Sequence, residues 1–457
     1  MPTNPMSMLY AAISLGYWYY ALLSGRAPWM NHDWHRKYGP IVRIAPNHLS
    51  FNDHHAQKIV YGFGTDNVPS MKKDPRFFTP EVDHSMNIIN ECDKEEHSRM
   101  RRMLSFAFSI SNLMLNEDVL IRGTDEFLDV IGNVESEDGE KGIDIVQKFN
   151  YMTFNIMGEM SFGESWDIRL KEQPEHRYHW ADVIVNSTYM NDVMRAVICV
   201  LGLFSLLERF PPAHSKTTLY RYADRLKLQI DRKDFMYHIF NTKNPAANLK
   251  EIASHYNVIM MADAVTTVTL LSGVLYYLDH NLQARGRLQD ELRNTFPSMK
   301  TIDSKGLLNC VYLNAVIEEG LRIYPSAGAA HLSRIVPKGG CEISGSFIPE
   351  GNSRQTRVSV HPWSVLRDPT NFHAPSEFIP ERWIPSTPEG QKGDKLERSL
   401  PFSPRMMESV SGLANIEMRM VLAKLFWKYN LCWFNRERVD WERDTKGYTL
   451  WEKPKLR

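Results

Sequence analysis

The sequence predicts a mainly helical body carrying a small antiparallel β lobe. Three observations lead there. Apolar residues recur at helical spacing over 96–110, 117–131, 145–160, 178–208, 249–279, 281–296, 311–323 and 413–428. Short β-rich runs occupy 41–51, 342–348 and 357–360, each bounded by Gly, Pro or Asn. No repeat or long linker divides the chain, and the Pro-rich stretch 369–389 reads as a meandering loop. With 43% hydrophobic and 11% aromatic residues, the 457-residue chain can build one extensive core.

Charge excludes some function classes. Lys plus Arg and Asp plus Glu number 54 each, so no excess points to nucleic acid or to an acidic partner. The five cysteines form no C-x-x-C pair, which argues against a disulfide framework and a structural zinc site, and no metal ligand is assigned. A reducing, cytosol-facing location is expected. No charged side chain precedes Arg26, and Met8 to Leu23 is shorter than the roughly 20 residues of a membrane span. Trp18 with Tyr10, Tyr17, Tyr19 and Tyr20 suits a membrane interface. The expected division is therefore an interface segment over 1–30 and one domain over 31–457.

The run 249–279 has the length of a helix of about 46 Å, enough to cross a domain. From Val258 to Leu278 its only charge is Asp263. A carboxylate in such a stretch is costly unless paired or facing a cavity. Thr266, Thr267 and Thr269 follow, and a buried helix would bond them back to the carbonyls four residues earlier. Further on, Glu319 and Arg322 stand three apart inside YLNAVIEEGLRIYP and share a helix face, with Arg382 in FIPERW (378–383) as a third charged partner. His97 and Arg101 lie four apart in HSRMRRMLSFAFS and also share a face.

These motifs together resemble the cytochrome P-450 monooxygenases, especially fungal ones of secondary metabolism. The resemblance runs from HRKYGPIVRIAPN (35–47) to NLCWF (430–434). It implies the cytochrome P-450 fold, a heme cofactor, an NADPH-dependent reductase as electron donor, a lipophilic substrate and association with the endoplasmic-reticulum membrane. Ala262, Thr266, Thr267 and Thr269 match the family's AGxETTxT pattern, which makes Thr266 the proton-relay hydroxyl. Asp263 replaces the glycine and Val265 the acid. By the same resemblance His97, Arg101, Arg334 and Arg405 would bind the heme propionates, for which a guanidinium fork is suited. Glu319, Arg322 and Arg382 would form a buried structural network.

One signature is broken. The family's heme loop reads close to PFSxGPRxCxGxxLA, and its cysteine is the iron ligand. Residues 401–425 read PFSPRMMESVSGLANIEMRMVLAKL, with no cysteine between Arg405 and Leu413. Cys92, Cys199, Cys310, Cys341 and Cys432 all lie elsewhere. Met406 and Met407 are chemically able to bind iron, Glu408 and Ser409 less so, but only a thiolate favours O–O cleavage. A second irregularity falls at 351–360, and two local scrambles within regular flanks point to misplaced exon boundaries. The reading is a heme-thiolate type monooxygenase lacking an identifiable axial Cys. The alternative is an inactive or non-oxidative descendant that binds a lipophilic metabolite. GESWD at 163–167 lacks the last glycine of a nucleophile elbow, and no Walker or G-x-G-x-x-G motif appears.

Overall fold

The computed structural model describes residues 14–62, 64, 69–80, 85–105, 116–133, 142–162, 248–328, 331–351, 355–399, 411–433, 439–448 and 450–457. The helix expected at 178–208 lies outside them, as do 106–110 of the first expected helix. The chain opens with α1 (Gly16–Leu23), α2 (Ala27–Tyr38), β1 (Ile41–Ala45), β2 (His48–Phe51), α3 (His54–Tyr61) and β3 (Lys72–Lys73). Next come α4 (Lys94–Ser105), α5 (Glu117–Gly132) and α6 (Ile145–Phe162). The central run is α7 (Leu249–His280), followed by α8 (Leu282–Thr295), α9 (Ser304–Leu308) and α10 (Val311–Ile323). Strands β4 (Arg334–Ile335), β5 (Cys341–Ile343), β6 (Ser346–Ile348) and β7 (Arg357–Val360) precede α11 (Pro362–Val365) and α12 (Ser411–Lys428). A last turn, α13 (Trp441–Asp444), leads to the hairpin β8 (Lys446–Gly447) and β9 (Trp451–Glu452).

The main sheet has the order β1-β2-β7-β4-β3. Its pairings are antiparallel except β2 with β7, which run parallel with His48 opposite Arg357. The β5–β6 hairpin turns through Ser344 and Gly345 at φ 51° and 73°, the left-handed pair that matches strand twist. Residues 16–30 do not hang free. Trp18 and Ala21 of α1 pack with Trp34, Val42 and Ile44, while Tyr20 stays exposed.

α7 is the axis of the helical body. Asn248 caps it by accepting from the Glu251 amide at 2.9 Å. It packs against α6, α8, α10 and α12. Leu270, Leu271, Val274 and Leu278 are fully buried there. By length and composition alone this helix could cross a bilayer, but 83% of its most apolar window is buried inside the protein. Its apolar faces are therefore spent on neighbouring helices. α10 crosses α7 at Gly320, where a Cβ would stand 2.5 Å from Val274 Cγ2. Beyond α10, Tyr324 sits among Trp363, Trp441 and Trp451, and Trp451 Nε1 donates to Pro325 O at 2.9 Å.

The joint between α1 and the sheet holds several buried histidines. His331 lies 4.4 Å from the Trp18 ring and 4.3 Å from the His361 ring. His48 Nε2 pairs with Ser359 Oγ at 2.9 Å, and His35 Nε2 with Ser50 Oγ at 2.9 Å. Burial holds His35 down to about 4 from 6.5, and drives His48 and His331 well below the ordinary value. A base whose folded pKa is depressed contributes stability that is complete above the unfolded value and is lost as pH falls.

Two outcomes are expected. Gly320→Ala should destabilise the chain by about 1–3 kcal/mol through overpacking at the α7–α10 crossing, read by denaturant unfolding. The stability that His35 contributes, read as the difference in unfolding free energy between the parent and His35→Asn, should be level above pH 6.5 and decline as pH drops toward about 4, by on the order of 3 kcal/mol. A stability profile flat across that window contradicts the second.

Candidate functional site

Thr266 lies midway along α7, half-buried. Its hydroxyl donates to Ala262 O at 2.6 Å and leans on Asp263 O at 3.4 Å. Thr269 and Ser272 likewise donate to Val265 O and Val268 O, both at 2.7 Å. The carbonyl of Thr266 itself accepts from Ser326 Oγ at 2.9 Å, which ties the segment after α10 to this turn. Thr267 is fully buried and its hydroxyl has no partner among the described residues.

Asp263, one turn earlier, is 1% exposed and meets Glu417 of α12, which is 0% exposed. Burial raises both carboxyls, Asp263 to about 7 and Glu417 well above its ordinary value, and the proximity of Asp263 lifts Glu417 further. The sequence singled out Asp263 as needing a partner. It did not single out Glu417, because a lone Glu two residues before Arg419 reads as a solvated helix face.

Glu319, Arg322 and Arg382 come together with no exposure. Arg322 grips Glu319 with a fork, Nε to Oε2 and Nη2 to Oε1, both at 2.8 Å. Its remaining protons go to the carbonyls of Leu366, Pro375 and Glu377 at 2.8–2.9 Å. Arg382 Nε donates to Glu319 Oε1 at 3.2 Å, and Trp383 Nε1 to Oε2 at 3.0 Å. The Ile379 amide adds a bond of 2.8 Å to Oε1. Arg382 also bonds Asp394, which holds His373 Nδ1 at 2.7 Å. Trp383, His373 and Asp394 were not legible beforehand, since nothing in their spacing marks them as network members.

The described basic residues sit on different elements. His97 and Arg101 are half-buried on α4, which is anchored to α7 by the Arg99–Glu251 ion pair at 2.7 Å. Arg334, in β4, is buried, with its guanidinium 5.2 Å from the Tyr61 ring and 5.0 Å from that of Phe78. Arg405 and the whole of 400–410 lie outside the described residues, as does Cys199.

Residues 17–436 match the family model described as cytochrome P450. The chain belongs to the cytochrome P450 family. A cytochrome P450 monooxygenase of Penicillium roqueforti, ORF9, is 32% identical over 92% of this chain and 82% of its own length. The monooxygenase efuB of Hormonema carpetanum is 32% identical over 92% and 84%. The trichothecene C-15 hydroxylase of Fusarium sporotrichioides is 31% identical over 92% and 85%. These are fungal P450 monooxygenases of secondary metabolism, and the mixed helical fold with small sheets is that of the family. P450 proteins use heme, a lipophilic substrate and a redox partner.

Tested against heme, the donor set divides. Buried Arg334 and half-buried Arg101 suit the acidic edge of the macrocycle. The iron side is unmatched among the described residues. Burial pushes the thiols of Cys92 and Cys341 up and that of Cys310 to about 11, away from the thiolate an iron ligand requires. Cys310 Sγ is engaged with Gly306 O at 3.7 Å, and Cys432 is exposed beyond α12.

Glu319→Ala leaves the buried Arg322 guanidinium without its counter-charge and Arg382 with Asp394 alone, a loss of about 3–5 kcal/mol. The variant should be insoluble or unfolded. A soluble variant melting with the parent would contradict the buried geometry.

Proposed function

We propose that this P450 is built to hydroxylate a lipophilic secondary metabolite, with electrons from an NADPH-dependent reductase on the cytosolic face of the endoplasmic-reticulum membrane. The observation that carries the reading is the family match across 17–436 on a chain that keeps the Glu319–Arg322–Arg382 cluster and a threonine at 266. The trichothecene C-15 hydroxylase of Fusarium sporotrichioides supports the reaction type. In this reading residues 31–457 are one heme-domain body and 1–30 touch the membrane interface. Thr266 holds and relays a proton, while His97, Arg101, Arg334 and Arg405 receive the propionates.

Thiolate-ligated heme supplies the O–O cleavage that hydroxylation needs. With no cysteine between Arg405 and Leu413, that chemistry has no source in the loop as the sequence stands. This same observation favours a second reading, a descendant that binds its lipophilic metabolite without oxidising it. The reduced carbon-monoxide complex separates them. The unaltered chain should lack the strongly red-shifted Soret band of thiolate ligation and should not hydroxylate. Glu408→Cys or Ser409→Cys should restore the band, which supports the oxygenase reading. Failure of both to do so favours the binder. The band in the unaltered chain would contradict the alignment of the loop and direct substitution to Cys341 and Cys432.

A further inference from the structure

The tail that follows β9 carries a cation onto α7 with no acid to meet it. Lys453 is half-buried, and its ammonium donates to Thr269 Oγ1 at 3.2 Å and to Trp451 O at 3.5 Å. Both bonds are long for a charged donor, and the third proton has no partner among the described residues. The Thr269 hydroxyl gives its own proton to Val265 O at 2.7 Å, so it meets the ammonium only as an acceptor. Trp451 and Val265, beside these contacts, are each 1% exposed. A charge so placed has lost water and gained only neutral oxygens, a costly state that an anion relieves.

The charges on the elements around Lys453 are settled elsewhere. On α7, Asp263 lies six residues before Thr269, about 9 Å back along the axis, and Asp279 pairs with Arg285 at 3.3 Å. In the tail, Glu452 pairs with Lys446 at 3.2 Å, while Lys455 and Arg457 act on Asp144. On α13, Glu442 holds Arg367 at 3.0 Å, Arg443 bonds Asp444 at 2.7 Å, and Asp440 caps the helix. On α6, Lys148 lies over the Tyr151 ring and Glu159 pairs with Arg122. At the end of α10, Arg322 belongs to Glu319.

Three bonds of 2.9 Å fix where the ammonium stands. Ile145 N donates to Leu456 O, Trp451 Nε1 to Pro325 O, and Ser326 Oγ to Thr266 O. Lys453 therefore meets α7 one turn beyond Thr266, and residues three apart share a helix face. That face is the open one. Between Val258 and Leu275, Met261, Ala262 and Thr266 are only half-buried, while the other described positions are buried.

We propose that Lys453 is the docking point for a carboxylate on the lipophilic ligand, whose apolar body lies along the Thr266 face of α7. This deepens the reading of a lipophilic small-molecule ligand and rests on it, whether that ligand is oxidised or only bound. The ligand class is thereby narrowed to apolar acids. Burial alone lowers the Lys453 ammonium, to about 8 from 10.5, so at neutral pH the charge is still present. Affinity for a carboxylate is then full below about pH 8 and falls as pH rises through that value.

Calorimetric titration of the full chain with decanoate and with decan-1-ol tests this without bound heme or turnover. The two probes share a chain length and differ in the charged head. At neutral pH decanoate should bind about tenfold more tightly, the worth of one charge-assisted hydrogen bond. The preference should fade in alkaline buffer well above pH 8. Lys453→Met should erase it and leave alcohol binding unchanged, whereas Lys453→Arg should keep it at neutral and alkaline pH alike. Equal affinity of the unaltered chain for acid and alcohol overturns the docking point and leaves a lipophilic pocket standing. A preference undiminished in Lys453→Met, or one that persists unchanged in alkaline buffer in the unaltered chain, overturns it as well. Should the methionine variant not fold, the pH dependence of the unaltered chain decides. Binding of neither probe removes the lipophilic ligand and this inference with it.

Discussion

A carboxylate sealed from water must find donors for both oxygens, and the way Glu319 meets that demand fixes the architecture around it. Five donors from α10 and the 379–383 segment converge on it. The Arg322 fork then spends its outer protons on three carbonyls of the 366–377 stretch, a segment with little regular structure. In this way an irregular chain acquires the fixed course that a hydrogen-bonded ladder gives elsewhere. The network cannot be thinned gradually, since removing one member leaves another buried charge without compensation. Gly320 follows Glu319 and lets α10 lie close on α7, so one turn of helix sets both the ionic and the apolar contacts.

The Asp263–Glu417 pair is the opposite solution in the same core. There the carboxyls have no guanidinium and no hydrogen-bond donor among the described residues, and burial raises both. One cluster ties α10 to the 379–383 segment through paired charges, and the other leaves two acids buried between α7 and α12. The sequence between Arg405 and Leu413, where the family places its iron ligand, has no thiol to offer. Scaffold and ligand have thus come apart: the Glu319–Arg322–Arg382 cluster stands, while no cysteine lies between Arg405 and Leu413.

Legibility followed the physics of each element. α7 and α10 were readable to within a residue or two, because long apolar runs at helical period leave few alternatives. Short helices were not. α9 has five residues, an Asp303 cap and tertiary contacts, and nothing in its composition nucleates a helix alone. The strand runs were visible, but the parallel register of β2 on β7 joins segments about three hundred residues apart and leaves no local trace. At the site, Glu319, Arg322 and Arg382 could be named from their motifs, whereas Trp383, His373, Asp394 and Glu417 depend on where distant segments meet. Asp263 lay between these cases: its need for a partner was plain, the partner's identity was not.

Native-state hydrogen exchange on the heme-free chain tests most directly whether the Glu319 network governs the scaffold independently of the missing ligand. If it does, the Ile379 amide and the amides of α10 exchange only through global unfolding, at the same free energy as the core of α7. Exchange of 377–383 by a separate, lower-energy opening while α7 stays protected would show that the network is an accessory to the fold, and would contradict the account.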